Sequence, residues 1–100
     1  MSKKNKTKKE AAHLNSVAIL GCIACSECLN IEDSPAECHH ITTTGLSSRA
    51  SHCDVIPLCP THHRTGNYGV AIHAGRKIWE VNYMTERALL EIVKEKLNIF

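Results

Sequence analysis

The chain has no run of 18 apolar residues and no apolar core of a signal peptide near its start. It therefore reads as a soluble, cytoplasmic protein with no membrane partner. It also lacks the secretory context that a disulfide framework needs, although it carries six cysteines. Cysteines mixed with seven histidines in a reducing compartment point to metal instead. Internal repeats are absent, and 100 residues suit one domain. No helix is rich in Arg, Asn or Gln, so strong base readout is not expected. Tryptophan occurs once, at Trp79, and is expected as a core anchor.

A uniformly basic surface is missing too. Residues 1–10 hold Lys3, Lys4, Lys6, Lys8 and Lys9 against Glu10, while the rest of the chain has seven basic and nine acidic side chains. The net charge of +2 thus hides a basic tail on a slightly acidic body. Residues 1–8 read as a disordered tail that can act as a DNA-phosphate-binding arm, and 9–100 as the folded domain.

What the chain has in excess is metal-ligand chemistry. Cys38-His39-His40-Ile41 faces Ile56-Pro57-Leu58-Cys59-Pro60-Thr61-His62-His63 across a loop. Upstream, apolar spacing predicts a helix over 9–20, stopped by Gly21, and then Cys22-Ile23-Ala24-Cys25. Two thiolates at that spacing form half of a tetrahedral zinc site, and Cys59-Pro60-Thr61-His62 supplies a second half. The expected structural zinc set is Cys22, Cys25, Cys59 and His62. Cys28 competes for the first half-site, because Cys25-Ser26-Glu27-Cys28 repeats the spacing. Cys22 is preferred because it directly follows the helix-ending glycine.

Residues 36–41 and 54–58 read as short strands, with Pro57 placing the second at an edge or at the strand's end. A short helix follows over 61–65, with Pro60 at its entry and Gly66 as its stop. Adjacent helical residues point about 100° apart, so His62 can turn to the zinc while His63 turns to the strands. Later, Ile78, Trp79 and Asn82 share a helical segment. Thr85 caps a last helix whose Leu89, Val93 and Leu97 recur at every fourth residue.

This pattern suits phosphodiester hydrolysis. A divalent ion neutralises transition-state charge and assists the leaving oxygen, and a neutral imidazole takes a proton from water. Neighbours on a strand point opposite ways. His39 is therefore assigned to the ion and His40 to the general base, with His63 and His73 as further ligands. Magnesium or manganese is the expected catalytic ion. His52 and Asp54 are candidates to brace the loop across the strands. A zinc-braced nucleic-acid-binding module without catalysis is the alternative; it would not need the His39-His40 pair.

These residues also carry a resemblance to a known family. The motifs Ala12-His13-Leu14-Asn15-Ser16, Leu20-Gly21-Cys22-Ile23-Ala24-Cys25 and Arg49-Ala50-Ser51-His52 belong to it. So do the run from Ile56 through His62-His63-Arg64-Thr65-Gly66 and Gly69-Val70-Ala71-Ile72-His73-Ala74-Gly75-Arg76-Lys77-Ile78-Trp79-Glu80. Together they resemble the Ref family, phage recombination-enhancement proteins that are HNH-type nucleases acting with RecA. The resemblance implies an α+β fold: a small zinc-braced ββα-metal core (HNH, or His-Me finger) with flanking N- and C-terminal helices. It also implies an endonuclease acting in the bacterial host on RecA-bound DNA or displacement loops. It puts His39, His40, His63 and His73 in the site region, and Cys22, Cys25, Cys59 and His62 in the zinc region. The middle Asn of the HNH pattern is absent; Asp54 or His52 stands near its place.

Overall fold

The computed structural model describes residues 7–41 and 54–98. Helix α1 spans Lys8–Ile19. Its start is a capping box: the Glu10 backbone N–H donates to Thr7 Oγ1 at 3.0 Å, and the Thr7 N–H donates back to Glu10 Oε1 at 2.9 Å. Thr7 and Lys8, assigned to the tail from sequence, thus belong to the folded part. Lys8 and Lys9 stand exposed in the first helical turn. Lys3, Lys4, Lys6 and His52 lie outside the described residues, as does most of the loop between the expected strands.

Gly21 ends α1 with φ at +82°, where a side chain would be strained. A second helix, α2 (Ile23–Cys28), begins immediately, with Cys22 as its N-cap. The sequence reading assigned no helix there. By length and mean hydropathy alone, Lys8–Cys28 could cross a membrane. The break at Gly21 divides it, and Val17, Ile23 and Ala24 are buried in the protein core.

Strands β1 (Glu37–His40) and β2 (Val55–Leu58) form an antiparallel two-stranded sheet. The register pairs Glu37 with Leu58, Cys38 with Pro57, His39 with Ile56 and His40 with Val55. Strand alternation puts Glu37 and His39 on one face and Cys38 and His40 on the other. Cys38 Sγ lies 3.4 Å from the Leu14 carbonyl oxygen, so α1 covers the second face. Pro57 is tolerated because every strand of a two-stranded ribbon has a free edge. All four β2 residues are buried beneath the helices.

After Cys59 the chain forms one π-helical segment, Thr61–Thr65, closed by the Gly66 N–H on the Thr61 carbonyl at 3.0 Å. Its span matches the sequence reading, but the turn is wider than an α-helix. A Cβ on Gly66 would lie 2.6 Å from the Thr61 oxygen and 2.7 Å from Val70 Cγ1. Any side chain there would spread this turn. A 3-10 turn (Ile72–Ala74) leads into α3 (Arg76–Asn82), and α4 (Glu86–Leu97) completes the fold. Trp79 is fully buried and donates its indole N–H to the Val70 carbonyl at 3.0 Å. Helix α4, capped by Thr85, turns Leu89, Leu90 and Val93 into the core. The result is a small α+β structure with the sheet at its centre.

Candidate metal centres

Cys22, Cys25, Cys59 and His62 come together from three elements and are buried. The N-terminus of α2 brings the first two, the end of β2 brings Cys59, and the π-helical segment brings His62. Sulfur and Nδ1 separations are 3.2 Å for Cys59–His62, 3.5 Å for Cys25–His62, 3.8 Å for Cys22–His62 and 3.9 Å for Cys25–Cys59. A tetrahedral zinc with Zn–S and Zn–N bonds of usual length has edges of roughly 3.6–3.8 Å. The donor set and its spacing therefore fit zinc. Cys28, the sequence competitor, ends α2 and stays outside the group. All five described cysteines are free of disulfides.

The chemistry of this pocket is compatible with a bound cation. Burial pushes the Cys22 thiol up to about 12. A divalent ion reverses that preference, because a coordinated thiol loses its proton. Burial pushes His62 down from its ordinary value, towards the neutral imidazole that ligates metal. The Tyr83 ring stands edge-on to His62 at 5.1 Å and holds its orientation.

A second cluster lies on the Glu37–His39 face of the sheet. One nitrogen from each of His39, His63 and His73 falls within 4.8 Å of the others. Ring centroids are 4.5 Å apart for His63–His73, 5.1 Å for His39–His63 and 5.5 Å for His39–His73. β1 supplies His39, the π-helical segment supplies His63, and the 3-10 turn supplies His73. The two centres share the His62-His63 step, where neighbouring side chains diverge to opposite sites.

Two of these rings are oriented by carboxylates that the sequence reading did not assign. His39 Nε2 lies 2.7 Å from Glu86 Oε2, and His63 Nδ1 lies 2.7 Å from Glu37 Oε1. Each carboxylate favours a proton on the nitrogen it faces, leaving the other ring nitrogen free to ligate. Glu86 is fully buried, which a carboxylate tolerates only with such a partner. Replacing Glu86 by Gln is expected to weaken divalent-ion binding at the three histidines by about 10–100-fold. Manganese titration of the two proteins, with the cysteine-site metal checked as unchanged, measures this.

Glu37 also binds Arg64 through both oxygens, at 2.6 Å from Nη2 and 2.9 Å from Nε. That guanidinium first, and His63 second, hold the Glu37 carboxyl at about 2, against an ordinary 4.5. A depressed carboxylate contributes above its unfolded value and loses that contribution only as pH falls through the folded one. Glu37 therefore keeps its hold on His63 well below the ordinary carboxylate range and loses it only as pH falls through about 2. Carbon-detected NMR is expected to show a Glu37 midpoint near 2 that rises towards 4.5 in Arg64→Ala. Burial and the neighbouring His63 and His39 lower His73, so this imidazole stays neutral further into acid.

His40 occupies the opposite strand face from His39 and is outside the three-histidine cluster. Asp54 stands beside β2, where its carbonyl accepts the Ile41 N–H at 3.0 Å and ties the two loop ends together. That contact is made by the Asp54 backbone. Glu86 was visible in the sequence only as an acid in the first turn of α4. Glu37 had a nearer signal: it lies two residues before His39 on a strand, hence on the same face.

A family model described as "Recombination enhancement, RecA-dependent nuclease" matches residues 6–98. A comparison with curated proteins gives no match. The match spans both centres and nearly the whole chain, so the protein belongs to the family of recombination-enhancement, RecA-dependent nucleases.

Proposed function

We propose that this protein is an HNH-type endonuclease that hydrolyses phosphodiester bonds in RecA-bound DNA, including displacement loops. In this reading β1, β2 and the π-helical segment form the ββα-metal core, and zinc at Cys22, Cys25, Cys59 and His62 braces it. The observation that carries the proposal is the convergence of His39, His63 and His73, two of them oriented by carboxylates, within a chain of this family. A packed core has no use for a buried Glu86–His39 pair placed beside two further imidazoles. Three nitrogen donors favour a transition ion such as manganese over magnesium, which prefers oxygen.

A divalent ion bound there would supply positive charge to the transition state and the leaving oxygen. The protein's own groups do the rest. His39, His63 and His73 would hold the ion, with Glu86 and Glu37 fixing two of the tautomers. His40 accepts the proton of the attacking water; imidazole suits this near neutral pH. Lys8 and Lys9 at the start of α1, with Lys3, Lys4 and Lys6 before them, give DNA phosphates a basic arm.

The test is cleavage of single-stranded, duplex and displacement-loop DNA by purified protein in manganese or magnesium, with and without RecA. The proposal expects manganese-supported cleavage that RecA strongly enhances. DNA binding without cleavage in every condition would favour a zinc-braced binding module instead.

A further inference from the structure

The histidine cluster opens into a cleft of about 470 Å³, whose lining includes His39, His73, Glu86 and Arg76. Among the described lining residues, Arg76 is the one permanent cation. It begins α3 and is 38% exposed, so its guanidinium remains open to the cleft. Its contact is with Glu80, one helical turn on, through Nη1 at 3.3 Å. That contact engages one of five N–H donors.

Glu80 ties this arginine to the ion site. Its other oxygen accepts the Glu86 backbone N–H at 2.8 Å. Glu86 in turn orients His39. A continuous chain thus runs from the Arg76 guanidinium through Glu80 and Glu86 to a proposed ion ligand. Arg76 is placed relative to His39 by hydrogen bonds, not left as a loose surface charge.

We infer that Arg76 is a further catalytic residue, whose guanidinium binds the non-bridging oxygens of the scissile phosphate beside the three histidines. The inference rests on the nuclease reading and adds the group that meets the substrate's own charge. A planar fork of N–H donors matches two phosphate oxygens, a geometry that lysine cannot reproduce. Its positive charge is most useful when the phosphate gains negative charge on the way to the pentacovalent state.

Two measurements test it. In the cleavage assay, Arg76→Ala should lose about 100-fold in kcat, the usual scale for one such donor. KM and melting temperature should change little. Arg76→Lys should recover only part of the loss, and millimolar guanidinium should restore activity to Arg76→Ala but not raise the wild type. An Arg76→Ala protein within twofold of wild type would overturn the inference, and so would a slow one that guanidinium does not rescue. The second measurement needs no catalysis. Dimethyl phosphate titrated into the full chain should shift the Arg76 Nε–H resonance well beyond that of the exposed Arg87, an internal control. Equal shifts would overturn the inference even if the wild type cleaves DNA. A clear Arg76 shift in a protein that cuts nothing would keep the phosphate site and reject the nuclease reading.

Discussion

Replacing Cys25 by Ser is expected to leave the chain without a cooperative fold at 25 °C. Cys25 is one of four side chains positioned to tie α2, the end of β2 and the π-helical segment to a single zinc. Structural zinc in small domains contributes about 10–16 kcal/mol of apparent folding free energy. A domain of this size has a total stability of only about 5–15 kcal/mol. Losing the ion therefore removes as much as the fold has to spare. The substitution also leaves Cys22, Cys59 and His62 buried with an incomplete ligand set. Strong chelators should have the same effect on the wild type. Far-ultraviolet circular dichroism through a thermal ramp checks both, and a Cys25→Ser melting curve within a few degrees of the wild type would contradict the brace.

The second large effect concerns hydrolysis. His63→Ala and His40→Ala are each expected to lower kcat by about 10²–10⁴-fold, the range for losing a positioned acid–base group and a reasonable floor for losing an ion ligand. The two losses should separate by cause. His63→Ala removes a member of the cluster and releases Glu37, so manganese binding falls with cleavage. His40→Ala leaves the three ligands intact, so manganese binding stays while cleavage falls. The His40 result is the sharper one, because this ring sits on the opposite face of β1 from His39. Full activity in His40→Ala would assign the base to another group.

What could be read from the sequence was local. The C-x-x-C and C-x-x-H spacings narrow which side chains can share one ion, because each half-site lies within a single turn of chain, but only the fold leaves Cys28 outside the group. Strand alternation separates His39 from His40, and the step from His62 to His63 turns neighbouring rings to different centres. The stop at Gly66 and the cap at Thr85 are equally local, and their positions agree with the structure. What the sequence hid depends on contacts between distant segments. Glu86 looks like an ordinary first-turn acid until α4 packs against the sheet and places it on His39, 47 positions away. Arg76 shares a helix face with Glu80, but only the fold opens that face on the cleft. Helix α2 escaped notice because six residues containing two cysteines carry too little apolar periodicity. The capping box at Thr7 and Glu10 is a local signal that sits within a lysine-rich stretch.

Counting ions tests the account most directly. Protein purified with its cysteine-site metal would be titrated with manganese by calorimetry, beside His39→Ala and His63→Ala, with zinc content measured in every sample. The account predicts one zinc per chain throughout, and one additional manganese site in the wild type that both variants lack. A wild type with no second site, or variants that bind manganese as the wild type does, would contradict it.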